Sequence, residues 1–258
     1  MESSKEEQIN NRVAVYPKGC PICGRKSVDA SSIAESADIN DAGLWYECSC
    51  GIIFQSVIPE PVIKDKQFIE NHIKVKEYDA IGKHPAFVYA PMIEELTFGR
   101  KMLEVGYGTG SIIKYMKKRG WITFGIETNS DAEENDRLFK DSFETTDRLY
   151  QKTYDLVWMS FVLEQFKDPL GALHKAKQIL QENGVLYIAT PDIDFLHSDP
   201  KVMWPHWRRK EHYIMWSQRA LCRELEKLGF NIIYAWRNPH TRWGYYHSLH
   251  IIAQRVYY

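Results

Sequence analysis

The stretch MLEVGYGTGSIIKYMKKRG, Met102 to Gly120, places three glycines within five positions and then passes into a helical pattern. Glycine gives up more backbone freedom on folding than any other residue, so a cluster needs a reason. The run KMLEV just before it is strand-like. Glycines after a strand let the chain turn sharply and let a ligand lie against bare main chain, and the following helix offers unpaired N–H groups to an anionic group. The spacing here is Gly106-x-Gly108-x-Gly110, one residue tighter at the third glycine than the dinucleotide pattern G-x-G-x-x-G. Such a loop is followed about twenty residues later by an acid that takes a ribose. Glu127, at the end of ITFGIE, stands there. Strand, loop, helix, strand and acid in that order point to a nucleotide-like ligand. An NAD site, or a glycine turn that binds nothing, are the competing readings.

The rest of the chain supports an α/β fold. The runs KMLEV, ITFGIE, YDLVWMS, GVLYIAT, NIIYAWR and LHIIAQR are short and rich in branched and aromatic residues. Several are apolar on both faces, as central parallel strands are. Helical patterns lie between them at Ser111–Arg119, Asp168–Glu182 and Gln218–Leu228, and a third strand is inferred near Leu138–Phe143. ENG at Glu182–Gly184 and LGF at Leu228–Phe230 put glycine where helix C-termini favour it. Four sections result: a polar tail over 1–16, a cysteine-bearing module over 17–56, a connector with the helical stretch PAFVYAPMIEELTF over 57–100, and the α/β section over 101–258.

LEVGYGTG resembles motif I of the class I S-adenosylmethionine-dependent methyltransferases, whose usual form is close to LDxGxGxG. GIETNS resembles the acidic second-strand end of that family. YDLVWMSFVLEQFKDPLGALHKAKQILQENGVLYIATPD resembles its fourth strand, LEH-type segment, helix and fifth strand. EHYIMWSQRALCRELEKLGF resembles a later segment of the same subgroup. The resemblance implies a Rossmann-like sheet with helices on both faces and S-adenosyl-L-methionine as cofactor. It places Glu104 and the backbone of Gly106, Gly108 and Gly110 against the methionine part of the cofactor, and Glu127 on the ribose hydroxyls. Asp141 to Phe143, including Ser142, would lie near the adenine, and Ser160 and the residues after it would line the methyl-transfer site. Gln165 stands where the subgroup carries a histidine, and an amide cannot act as a base.

Four of the five cysteines fall between Cys20 and Cys50. No secretory signal precedes them, so a cytoplasmic, reducing compartment and a metal site are expected rather than disulfides. CPICG supplies Cys20 and Cys23; YECSCG supplies Cys48 and Cys50, after 24 intervening residues. Four thiolates in two pairs suit tetrahedral, structural Zn²⁺, a staple for a segment too small to fold on core burial alone. The C-x-C second pair is tighter than the usual C-x-x-C, and reduced thiols or an iron–sulfur site are the alternatives. Cys222 reads as a packed thiol on a helix. The ribbon ahead of the α/β section resembles zinc-ribbon methyltransferases associated with sugar, polysaccharide or natural-product modification.

Acceptor chemistry is read from residues that can take a proton. His206, Glu211, His212, His240 and His247 are candidates, with His212 foremost because histidine titrates near working pH. Glu164 either lines the site or caps the helix beginning near Asp168. In WPHWRRKEHY the cations Arg208, Arg209 and Lys210 could hold an anionic group on the substrate beside Trp204 and Trp207, or form a solvated loop. The expected substrate is a small molecule or glycan, methylated at oxygen. The net charge of −1 and the lack of a [DN]-P-P-[YF] segment argue against nucleic acid. No run of eighteen apolar residues suggests a membrane span. A nucleic-acid or protein methyltransferase docking through the ribbon, and a non-catalytic binding module, are the rival functions.

Overall fold

The computed structural model describes residues 19–26, 28–29, 45–55, 85–129, 132, 134–151, 153–198, 212–238 and 248–256. The tail over 1–16, His206, Glu211, His240, His247 and the cationic part of WPHWRRKEHY lie outside the described residues. So does most of the connector.

Seven strands form the larger sheet: β4 (Lys101–Val105), β5 (Ile122–Glu127), β6 (Leu138–Lys140), β7 (Tyr154–Ser160), β8 (Leu180–Pro191), β10 (Phe230–Asn238) and β11 (Ser248–Arg255). Their order across the sheet is β10-β11-β8-β7-β4-β5-β6. From β6 to β8 neighbours run parallel, whereas β11 is antiparallel to both β8 and β10. Leu156, Val157, Trp158 and Met159 of β7 are all fully buried. A strand covered on both faces needs apolar side chains in both directions, which its unbroken LVWM provides.

Helices cover the two faces. The helices α1 (Pro85–Leu96) and α2 (Ser111–Lys118) pack Ala90, Ile93, Ile112 and Met116 against Met102, Leu156 and Trp158. On the other face α3 (Pro169–Ile179) and α5 (Gln218–Lys227) bring Leu173, Ala176, Leu221 and Leu225 to Leu103, Val157 and Leu186. The Asp168 side chain accepts from the Gly171 N–H as the N-cap of α3, and Ser217 accepts from Ala220 for α5. Glu164 therefore does not cap α3. A short helix, α4 (Ile193–Ser198), follows β8.

Two expected boundaries move. The helix ending at Glu182 stops at Ile179, and Leu180 already belongs to β8. The left-handed residue in ENG is Asn183 (φ 58°), not Gly184. Asparagine tolerates this conformation because its short polar side chain bonds locally. Gly229, φ 80°, does end α5 as expected. The inferred third strand is present but short, pairing Leu138–Lys140 with Gly125–Glu127.

A smaller sheet holds β1 (Val28–Asp29), β2 (Trp45–Cys48), β3 (Ile52–Gln55) and β9 (Ile214–Trp216), in that order. The cysteine-bearing hairpin β2–β3 is thus extended by a strand from the far C-terminal part of the chain. Ile52, Ile53 and Phe54 pair with Trp216, Met215 and Ile214. All six side chains are buried, so the ribbon shares its core with the α/β section. Among the described residues, no helix is long and apolar enough to cross a membrane.

Candidate functional site

In an open α/β sheet, ligands bind outside the carboxyl ends of strands where the strand order reverses. Here that reversal lies at β4, which has β5 on one side and β7 on the other. The glycine loop leaves the carboxyl end of β4, and Ser160 ends β7. The two ends touch: a Cβ on Gly106 would lie 3.1 Å from Val162 Cγ2.

The loop takes the conformation its glycines permit. Gly106, Gly108 and Gly110 have φ of 70°, 50° and 71°, a region that costs an ordinary L-residue about 1–2 kcal/mol. At Gly108 an added Cβ would meet no atom within 4 Å. The space beside this residue is open, so a ligand could reach the main chain there. Glu127 stands beside it. Its Oε2 accepts from the Gly108 N–H at 3.0 Å, and its Oε1 accepts from the N–H groups of Thr128 (2.8 Å) and Asn129 (3.1 Å). The carboxylate is only half-buried. Asp141 adjoins it, donating its N–H to the Glu127 carbonyl. The Asp141 carboxylate accepts from the Ser142 N–H at 2.8 Å, and a Thr146 hydrogen bond is the first of the causes that hold its pKa below the usual value. The Phe143 ring is turned inward and stacks on Phe166 at 5.9 Å.

Glu104 lies beneath the loop. Its Oε2 accepts from the Ile113 N–H in the first turn of α2, at 3.2 Å. Burial raises its pKa well above the ordinary carboxyl value, that hydrogen bond opposes the rise, and the Glu127 charge adds to it. A cation arriving above the loop would reverse this by favouring the carboxylate. Tyr107, between two of the glycines, is buried, and a Cβ on Gly125 would lie 2.6 Å from its ring. The lone glycine inside ITFGIE is the sequence trace of that close approach.

After β7 the chain turns sharply. Phe161 has φ 54°, and its N–H donates to the Ala189 carbonyl at 2.7 Å. Gln165 donates through Nε2 to the Phe161 carbonyl at 2.8 Å, which gives the residue in the histidine position a role in holding the turn. Glu164, in a short 3₁₀ turn (Leu163–Gln165), is fully buried. Its Oε2 accepts from Thr190 Oγ1 at 3.0 Å, and its Oε1 is 3.7 Å from His212 Nε2. Glu164 and His212, 48 positions apart in the sequence, are thus brought together at the carboxyl ends of β7 and β8. Ser160 is half-buried one residue before the turn.

All four clustered cysteines also converge. Their Sγ atoms lie within 4.8 Å of one another, with Cys20–Cys50 at 3.6 Å and Cys23–Cys48 at 3.4 Å. A tetrahedral ion with bonds of about 2.3 Å would set its sulfurs about 3.8 Å apart. The donor set fits zinc. Backbone N–H groups point at the sulfurs, as Ile22 does to Cys20 at 3.4 Å. Without an ion, burial pushes the Cys20 thiol up to about 11; a bound cation supplies the charge that makes buried thiolates stable. Cys222 is half-buried against the core and is not one of the four grouped thiols.

The profile described as "Methyltransferase domain" matches residues 83–235 of the 258. The chain belongs to the S-adenosylmethionine-dependent methyltransferases. Curated relatives include the ubiquinone biosynthesis O-methyltransferases of Actinobacillus pleuropneumoniae serotype 5b (27% identical over 108 residues, 36% of this chain and 46% of the relative) and Haemophilus ducreyi (29% over 108 residues, with the same coverage). The chain therefore spans about half the length of the curated relatives it matches. Among solved structures, the plantazolicin methyltransferase BpumL in complex with S-adenosylhomocysteine superposes with a TM-score of 0.56 at 11% identity, over 74% of this chain and 90% of that one. The 1,6-didemethyltoxoflavin-N1-methyltransferase of Burkholderia thailandensis gives 0.51 at 14% identity, over 83% and 99%. At such identities these two establish the shared fold.

Proposed function

We propose that this methyltransferase transfers the methyl group of S-adenosylmethionine to a hydroxyl of a small molecule or glycan. The observation that carries the reading is the meeting, at the β4 reversal, of an open glycine loop, the Glu127 carboxylate and the turn that bears Glu164. The names of the curated relatives support oxygen as the acceptor atom.

When bound, the cofactor would supply a sulfonium methyl, whose bond to sulfur breaks with its electron pair left on sulfur as a lone pair of the acceptor oxygen forms the new bond to carbon. The chain's part is to bind, align and deprotonate. Glu127 would accept from ribose hydroxyls, and the main chain at Gly106, Gly108 and Gly110 would hold the methionine part. Glu104, beneath the loop, supplies negative charge toward the amino-acid cation. Ser142 would contact the adenine, and Phe143, packed on Phe166, supports that segment. Ser160 and the turn after it face the acceptor. His212 takes the hydroxyl proton, and Glu164 stabilises the resulting imidazolium. His206, proposed alongside them, lies outside the described residues. Cys20, Cys23, Cys48 and Cys50 hold structural zinc.

The test is incubation with methyl-labelled S-adenosylmethionine and a panel of hydroxyl acceptors, catechols and glycosides among them, followed by mass spectrometry. A methyl ether formed by the wild type and greatly reduced in His212→Gln is expected. Label found only on amines, on RNA or on protein would replace this reading with another acceptor class.

A further inference from the structure

The ribbon and the acceptor side of the site are joined by an unbroken run of hydrogen bonds. At one end stand Cys48 and Cys50, with Gly51 between that knuckle and β3. The Gly51 carbonyl accepts from both the N–H and the hydroxyl of Ser217, at 3.0 and 2.8 Å. No side chain fits at Gly51, because a Cβ there would lie 2.6 Å from Ser217 Oγ. The Cys50 carbonyl accepts from Arg223 of α5 at 3.0 Å. From Gly51 the chain enters β3, which pairs with β9. At the end of β3, Gln55 holds the two residues that lead into β9. Its N–H donates to the Tyr213 carbonyl at 2.9 Å, and its Nε2 donates to the His212 carbonyl at 3.0 Å. The Tyr213 N–H in turn donates to the Glu164 carbonyl at 2.7 Å.

We propose that the zinc knuckle holds the acceptor end of the site, with Gln55 as a positioning residue that fixes His212 opposite Glu164. The proposal rests on the reading of His212 given above. Gln55 is fully buried, and a buried amide is costly unless it is bonded. Its bond reaches the carbonyl of the residue whose ring faces Glu164, so shortening or removing the side chain takes away this hold on His212. β9 has only three residues, and β3 lies along it. Opening the knuckle would let β3 slide and carry His212 from the Glu164 carboxylate. The ribbon thus acts as a part of the site's frame rather than as a detached docking arm.

The test uses the full chain with ¹⁵N-labelled histidine, loaded with zinc. His212→Gln identifies the His212 ring resonances, and His250, deep in the larger sheet, serves as the internal reference. Stripping the metal with a chelator, verified by metal analysis, should displace or broaden the His212 resonances while leaving those of His250 in place. Gln55→Leu, still zinc-loaded, should displace the same resonances. Unmoved His212 resonances after verified stripping would overturn the proposal. Collapse of the His212 and His250 resonances together would also overturn it, because the metal would then serve the whole fold. If Gln55→Leu does not fold, the stripping arm on the wild type decides. Failure of the wild type to methylate any acceptor would refute the functional reading but leave this coupling standing, since the resonances report position directly.

Discussion

Lowering the pH should destabilise this protein through one residue, His250. Its imidazole is 2% exposed on β11. Tyr187 Oη lies 2.9 Å from Nδ1 and Ser248 Oγ 2.7 Å from Nε2, while the Trp236 ring stacks at 5.1 Å and the Tyr89 ring lies at 5.0 Å. Burial lowers its pKa from 6.5 to about 4. Above pH 6.5 the ring is neutral in both folded and unfolded chains and contributes no pH dependence. As the pH falls below 6.5 the unfolded chain takes up a proton that the folded chain refuses, so stability is lost. The loss is complete near pH 4, where the folded ring also protonates. At about 1.4 kcal/mol per tenfold in proton affinity, the gap is worth about 3 kcal/mol. Buried Glu104 and Asp192, both with raised pKa values, act in the opposite direction, so the comparison needs a variant. Urea unfolding of wild type and His250→Gln at pH 7 and pH 4.5 isolates the residue. The wild type's stability relative to the variant should fall by about 2–3 kcal/mol on acidification. A difference that does not change with pH would refute the reasoning.

Ser217→Ala removes both the N-cap of α5 and the hydroxyl bond to Gly51; a cost of about 1–2 kcal/mol is expected in a denaturant melt, and no cost would contradict the docking described. Cys23→Ser should abolish stoichiometric zinc by elemental analysis, because three thiolates and a hydroxyl hold the ion far less well. Retained zinc would move the ligand set elsewhere. Gly125→Ala should destabilise strongly, since its Cβ would fall 2.6 Å from both Ile113 and Tyr107, and overpacking of this kind costs about 1–3 kcal/mol; a neutral result would mean the loop can shift without penalty.

The glycine loop and its neighbouring acid were legible because the parts are local. Three glycines after an apolar run, and an acid at the next strand's end, need only short-range geometry to be recognised. The helical spacing of Ile112, Ile113 and Met116 is equally local, and α2 keeps all three on one buried side. What was not legible is non-local. Nothing near Gln55 announces that it will bond His212, 157 positions away. Nothing in EHYIMW says that its last three residues complete the ribbon's sheet. His250 reads as one more polar residue in LHIIAQR, and only the approach of Tyr187, 63 positions away, reveals its environment. ENG misled for a physical reason, since either asparagine or glycine can take the left-handed turn and the pattern does not say which.

The central claim is that the open loop at Gly108 and the carboxylate of Glu127 hold the methyl donor. Calorimetric titration with S-adenosylhomocysteine tests it most directly. The wild type should bind one molecule per chain, and Gly108→Val, checked for an intact fold by circular dichroism, should lose that binding, because its added side chain occupies the open space beside the main chain. Undiminished binding by folded Gly108→Val and by Glu127→Ala would place the donor elsewhere and contradict the account.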